Sequence, residues 1–273
     1  MAFNKDNLVI DRAIRGTMKN KSTSAVMWSI DQITDPSIEC SGETVFANDA
    51  VGSPIASFDR SKTSVFTANN VVFNLSLLAA QMGSSKNVAS ATNKITVPKF
   101  EMITLGATDE AVNITITLEE TPKTTLTKIY KIDTDGSILE EISAGATATT
   151  QFSITDKIIT IPTTPASGAY TAATRFGVWY DYETDGTEGL GSVKVSNNAN
   201  EFPSAGVFEL EVLFSDICDS SIKYHGFVVF GNAKLSSNTT LNLTTEIQQN
   251  FQIDCMQDYC NPDRTLFEII VPE

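Results

Sequence analysis

Histidine is nearly missing from this chain: of 273 residues only His225 carries an imidazole, in "KYHGFVVF" at the start of a strand-like run. General-base work falls most often to histidine, so a single one in that setting reads as a packing or surface residue. G-x-S-x-G, a phosphate-cradling glycine loop and H-E-x-x-H do not occur either. The carboxylate pairs Glu119–Glu120 and Glu140–Glu141 are what an acidic composition supplies by itself, and they say nothing of glycosidic chemistry without geometry. No catalytic residue, no cofactor-binding residue and no metal ligand is expected, and the chain is not read as an enzyme.

Cysteine is scarce, at four. Cys255 shares a strand face with Phe251 and Ile253, and Cys40 shares one with Ile38, as reduced cysteines acting as small buried hydrophobes would. Cys218 and Cys260 lie near turns, and the spacing of Cys255 to Cys260 with one histidine matches no zinc site. Long apolar runs are absent, since nothing approaches the roughly 20 residues of a membrane-spanning helix. The opening "MAFNKDNLVIDRAIRG" has no basic region followed by an apolar stretch, so no secretory signal is read there and synthesis in a cytoplasm is expected. Sequons at Asn74, Asn113, Asn238 and Asn242 are then chance products of a Ser/Thr/Asn-rich chain.

Positive charge is short too. Residues 1–99 hold ten Lys/Arg against eight Asp/Glu, residues 100–200 hold six against fourteen, and residues 201–273 hold three against eleven. A net charge of −14 argues against a protein whose work is to grip nucleic acid, because phosphate binding needs clustered cations. It leaves room for one that lets nucleic acid slide past. "DYETDGTEGLGS" begins like a calcium loop at Asp181, Glu183, Asp185 and Gly186, but its twelfth position is Ser192 rather than a bidentate glutamate, so an acidic hairpin turn is expected.

What the chain has in plenty is alternation with period two. Ile114, Ile116 and Leu118 share a face, as do Phe176, Val178, Tyr180 and Tyr182, while Phe208, Leu210, Val212 and Phe214 stand opposite Glu209 and Glu211. "SAVMWSI", "VFTA", "TKIYKI", "QFSI", "KIITIP", "YHGFVVF", "TTLNLTT", "NFQIDCM" and "LFEIIV" extend the set, separated by turn signals such as "DTDGS" and "SNNAN". The fold class is mainly β. Trp28 and Trp179 fall in strand patterns, where core packing is the expectation. Residues 106–191 supply about five short strands with regular turns and are read as a small β-sandwich module inserted into a host domain of residues 1–105 and 192–273.

One helix interrupts the pattern. In "FDRSKTSVFTANNVVFNLSLLAAQMG", Phe58 to Gly83, a strand with a basic lead-in gives way to a short helix that glycine closes. Leu75, Leu78 and Ala79 are expected on its buried stripe.

This stretch resembles the strand, polar turn and glycine-closed helix of phage major tail proteins, also called tail tube proteins. Upstream, "SIDQITDPSIECSGETVFANDAVGSPIASFDRSK" is similar to that family's early strands; downstream, "FPSAGVFELEVLFSD", "YHGFVVFGNAKLSSNTTLNLTTE", "NFQIDCMQDYC" and "LFEIIVPE" are similar to its closing ones. The resemblance covers about two thirds of the chain. It implies a β-sandwich or barrel with one flanking α-helix, copies that self-assemble into stacked hexameric rings, and a virion tail tube assembled in the host cytoplasm. Its partners would be further copies and other tail proteins, with no membrane anchor, and DNA would pass through the lumen without specific binding. Two other roles compete: a capsid decoration or head fibre protein, and a carbohydrate-binding or adhesin-like β protein, which clustered exposed aromatics would favour.

Overall fold

The alternation read from Phe208, Leu210, Val212 and Phe214 is the spine of the observed fold, because these four side chains all enter one core while Glu209 and Glu211 stay on the other face. The computed structural model describes residues 6–105, 114–147, 149–162, 170–171, 173–187, 189–241, 248–259 and 261–272. In chain order the elements begin with β1 (Leu8–Lys19), β2 (Val26–Ile30), β3 (Ile33–Asn48), β4 (Pro54–Asn70), α1 (Leu75–Gln81), β5 (Asn87–Val88) and β6 (Ile95–Thr104). They continue with β7 (Thr115–Thr117), β8 (Lys128–Ile132), β9 (Ile138–Ser143), β10 (Ser153–Thr155), β11 (Ile158–Thr160) and β12 (Arg175–Thr184). The last are β13 (Val193–Lys194), β14 (Ala205–Asp216), β15 (Lys223–Leu235), β16 (Gln249–Cys255) and β17 (Glu268–Ile270). The protein is mainly β with a single helix among the described residues.

Two compact units divide the chain, Met1–Lys86 with Val195–Glu273, and Asn87–Lys194. The sequence expectation put the boundaries at 105/106 and 191/192. In the structure β6 belongs with the second unit, because it pairs with β12 over ten residues from Ile95 to Thr104.

The first unit holds one antiparallel sheet in the order β2-β1-β14-β15-β16-β4-β3, with β17 added beside β15. Its end strands are consecutive in the chain, joined only by Asp31 and Gln32, so β2 and β3 act as one bent strand that brings the sheet back on itself. Gly16 on β1 permits this closure: an added Cβ there would lie 3.1 Å from both Ile33 of β3 and the ring of Phe208. Inside, Trp28, Phe66, Phe208, Phe230 and Phe251 come from five different strands, with neighbouring ring centroids 5.2–5.9 Å apart. Such tilted and edge-on pairs contribute beyond the area they bury. Trp28 is in the core as expected.

Helix α1 has only seven residues, too short to persist alone, and is fixed at both ends. The Asn74 side chain accepts from the backbone N–H groups of Ser76 and Leu77 at 2.9 and 3.0 Å, so this sequon asparagine is a helix cap. At the other end Gly83 donates to Ala80 O and Ser84 to Ala79 O, the paired bonds of a Schellman ending, with Gly83 at φ +68°. A buried amide network then ties the helix to β16. Gln249 donates to Gln81 Oε1 at 3.0 Å and accepts from the Asn74 N–H at 2.9 Å, while Gln81 donates to Asn250 O at 2.8 Å. The buried stripe is Leu77, Leu78, Ala79 and Gln81. Leu75, expected on it, is instead exposed.

The second unit is a small sandwich of β6-β12-β8-β9 and β10-β11-β7, with the two-strand ladder β5-β13 at its chain entry and exit. Ile114, Ile116, Leu118, Phe176, Val178 and Tyr180 are buried in its core, as their alternation predicts. Buried Glu101 accepts from the Glu119 N–H at 3.1 Å and from the Tyr180 hydroxyl, and burial together with that bond pushes the Tyr180 phenol well above its ordinary range. The acidic stretch after β12 is a turn in which Asp185 accepts from the Thr187 hydroxyl and N–H at 2.8 and 3.2 Å. Of the expected strand "TTLNLTT", residues 239–241 are not strand and 242–245 lie outside the described residues, as do Cys260 and the sequons at Asn113 and Asn242.

Candidate assembly surfaces

The largest departure from an ordinary sandwich is the hairpin β3–β4. Its register shifts near the hairpin turn between Ala47 and Asn48 and, further in, between Thr34 and Ser37 and between Ser41 and Glu43, where Asp35 and Ser61 adopt positive φ of 51° and 52°. Such bulges bend and twist a ribbon. Beyond the shift between Ser41 and Glu43, residues 43–48 and 54–60 continue as a two-stranded ribbon that no other strand joins among the described residues. At about 3.3 Å per residue the ribbon extends roughly 20 Å.

Each face of this ribbon carries exposed apolar side chains among polar ones such as Glu43 and Arg60 on one face and Thr44, Ser57 and Asp59 on the other. Val45 stands across from Phe58, and Ala47 across from Ala56, on one face; Phe46 lies on the other, on the side to which alternation also brings Ile55. Phe46, Ile55 and Phe58 are 56 %, 69 % and 53 % exposed, and Val51 in the turn is 90 % exposed. A lone two-stranded ribbon is at best marginally stable in water, and this one offers large side chains to solvent on each side.

A second open feature adjoins it. Strand β1 pairs with β2 only over Gly16–Lys19, so residues 8–15 have β14 on one side and no strand on the other among the described residues. Val9 and Ile10 are exposed there. The outer edge of β3 is unpaired in the same sense. Unpaired strand edges are templates for another chain.

The outward face of β1, β14 and β15 mixes charged side chains with the apolar Phe227 and Val229, and several of its charges are paired. Lys19 Nζ is 2.6 Å from Glu209 Oε2, Arg15 is the register partner of Glu211, and His225 Nδ1 is 3.1 Å from Glu211 Oε1. Nearby, Lys223 Nζ is 2.9 Å from Asp11 Oδ2, and this bond holds the Asp11 carboxyl below its ordinary range. His225 is exposed and partnered by a carboxylate rather than placed against a nucleophile.

Cysteine placement corrects one expectation and agrees with another. Cys255 is buried on the core face of β16 next to Ile253, and burial pushes its thiol up to about 11. Cys40 is exposed, because the part of β3 that carries it runs past the core. Cys218 is exposed in the β14–β15 turn. Alkylation of the native protein near pH 8, read by mass spectrometry, is therefore expected to modify Cys40 and Cys218 rapidly and Cys255 only after denaturation. Among the described residues no group of three or more His, Cys, Asp or Glu could hold a metal ion, and no helix is long and apolar enough to cross a membrane.

Trp179 is the other correction. Its strand neighbours Val178 and Tyr180 are buried, but Trp179 itself lies on the outer face of β12 and is 49 % exposed. It packs on Phe100, its register partner on β6, with centroids 4.5 Å apart and planes at 32°, and Tyr130 meets it edge-on at 5.4 Å. Alternation told which residues share a face and not whether that face is covered.

The YomU/Tube protein family model matches residues 8–266. The chain belongs to the YomU/Tube protein family. The matched stretch takes in both compact units and agrees with the resemblance to phage tail tube proteins, so the chain is a phage tube-like structural protein. Among curated proteins none matches the chain.

Proposed function

We propose that this tube-family chain is the major subunit of a phage tail tube, with six copies closing each ring, rings stacking end to end, and DNA leaving the virion through the lumen. The observation that carries this reading is the hairpin ribbon 43–60, which exposes Phe46, Val51, Ile55 and Phe58 and is uncovered in the single chain. A ribbon of that kind fits between two neighbours, whereas a monomer would gain nothing by exposing it. The open edges of β1 and β3 supply backbone donors and acceptors for the same joints. Contacts made by one surface on a different surface of the next copy close into rings or continue as filaments, and a tube uses both.

In this arrangement the charged outward face of β1, β14 and β15 lines the lumen. Lys19 is paired with Glu209, and Glu211 stands across from Arg15, so passing phosphates meet no unopposed positive cluster to hold them. Assembly takes place in the host cytoplasm, and other tail proteins cap the two ends of the tube.

Two measurements test this reading. Immunogold labelling of virions is expected to decorate the tail along its length; label confined to the capsid contradicts the proposal. Glu209→Lys with Glu211→Lys converts the proposed lumen face to a cationic one, and DNA ejection is expected to slow severalfold. Unchanged ejection would remove these strands from the lumen.

A further inference from the structure

Outside the assembly surfaces, the exposed rings of the second unit form a site of their own. Phe100 and Trp179 pack against each other on the outer face of the sheet with their planes tilted by 32°, and Tyr130 meets Trp179 edge-on. Gly177 makes room for them: a Cβ there would lie 3.1 Å from both the Phe100 and the Trp179 rings and would overlap Ile132. The rings border an open groove of ≈ 610 Å³, within the range of about 300–1,000 Å³ that ligand pockets occupy.

The rim of the groove is polar. Thr124, Thr125 and Thr127 bring hydroxyls, and Asp181 brings an exposed carboxylate. The two lysines that line it are already engaged: Lys99 Nζ is 2.6 Å from Glu119 Oε2, and Lys128 Nζ is 2.7 Å from Glu141 Oε1. Rings that offer a flat apolar face inside a ring of neutral and anionic hydrogen-bonding groups suit an amphipathic ligand, apolar on its face and hydroxylated at its edge.

We propose that this groove binds a neutral polysaccharide of the host cell surface, one pyranose ring lying on the Phe100–Trp179 platform while its hydroxyls bond to the threonines and Asp181. A single-stranded nucleic acid would also stack here, but its phosphates need free cations, and residues 87–194 hold eight Lys/Arg against fourteen Asp/Glu. An apolar protein patch laid over the groove would strip water from the hydroxyls and the carboxylate without replacing their bonds. The saccharide chemistry stands on this unit alone; its assignment to the host surface rests on the tail reading above.

The test uses the full chain. Trp28 is 2 % exposed, so a change in tryptophan emission on adding ligand reports Trp179. Titration with neutral tetrasaccharides of glucose, galactose and N-acetylglucosamine is expected to shift that emission for at least one of them, with half-saturation below about 1 mM, a range typical of weak specific binding. Since Trp179→Ala would remove the reporter, calorimetry follows the variants: Trp179→Ala and Phe100→Ala are each expected to weaken binding at least about tenfold with the circular dichroism unchanged. The hairpin variant Phe46→Ser/Ile55→Ser/Phe58→Ser is expected to bind like the wild type, which separates this site from assembly. Wild-type protein is also expected to sediment with purified host cell walls and to be released by the tetrasaccharide that binds. Three results overturn the proposal: no tetrasaccharide binds, binding is untouched by both aromatic substitutions, or an oligothymidylate binds the platform in their place. Wall binding that the tetrasaccharide does not compete overturns the host-surface assignment.

Discussion

Replacing Phe46, Ile55 and Phe58 together by serine abolishes polymerisation and leaves a folded single chain. The three side chains are more than half exposed in the isolated protein, so their removal takes nothing from its core, and the thermal midpoint should stay within a degree or two of the wild type. Their contribution belongs to the joint between copies. Full burial of a large apolar side chain contributes about 1.5–3 kcal/mol, and about 1.4 kcal/mol corresponds to tenfold in an association constant. Only the exposed part of each, a little over half, remains to be buried at the joint, so loss of all three weakens each joint on the order of a hundredfold or more, and a stack of rings needs many joints at once. Sedimentation velocity of the variant should show one slow species. A variant that still forms long assemblies would move the joint elsewhere on the molecule.

The second large effect is on stability. Gly83→Ala is expected to cost on the order of 3 kcal/mol, read as a fall in the thermal midpoint of roughly 10 °C. Two causes add. Gly83 has φ +68°, a conformation that costs a residue with a Cβ about 1–2 kcal/mol, and the new methyl would overlap the backbone of Phe202, which no rotamer change can relieve. The natural control is Gly52→Ala in the hairpin turn. Gly52 also has positive φ, at +90°, but nothing lies within 4 Å of its missing Cβ, so only the conformational part applies. Equal losses for the two variants would show that the approach of residue 202 to the helix end contributes nothing.

These two sites differ in how far the sequence announced them. The glycine after "LSLLAAQM" marks a helix end by itself, and the strands with unbroken alternation, β12 and β14, stand where their pattern puts them. Strand β1 gave no such signal because two bulges, between Ile10 and Arg12 and between Ala13 and Arg15, shift its side chains from one face to the other midway. Strand β6 carries Pro98, which marks an edge strand and weakens the pattern; it is indeed the edge of its sheet, and missing it displaced the expected module boundary. Pro36 sits at the first bulge of β3 in the same way.

The candidate surfaces were legible only in part. Composition and missing motifs argued against catalysis, and the helix region carried the tube resemblance. Phe46, Ile55 and Phe58 look in sequence like the core of any hairpin, since exposure depends on whether a second layer lies over the strands. Trp179 failed as a core residue for the same reason: Val178 and Tyr180 point into the sandwich, and Trp179 faces out, where Phe100 and Tyr130 gather round it. A period of two assigns faces, and tertiary packing decides which of them sees water.

The most direct test of the account is cryo-electron microscopy of the purified full chain over a rising concentration series. The account predicts rings and then hollow rods, with density for residues 43–60 wedged against an adjacent copy. A chain that stays a single copy at the highest concentration reached, with that hairpin free in solvent, would contradict it.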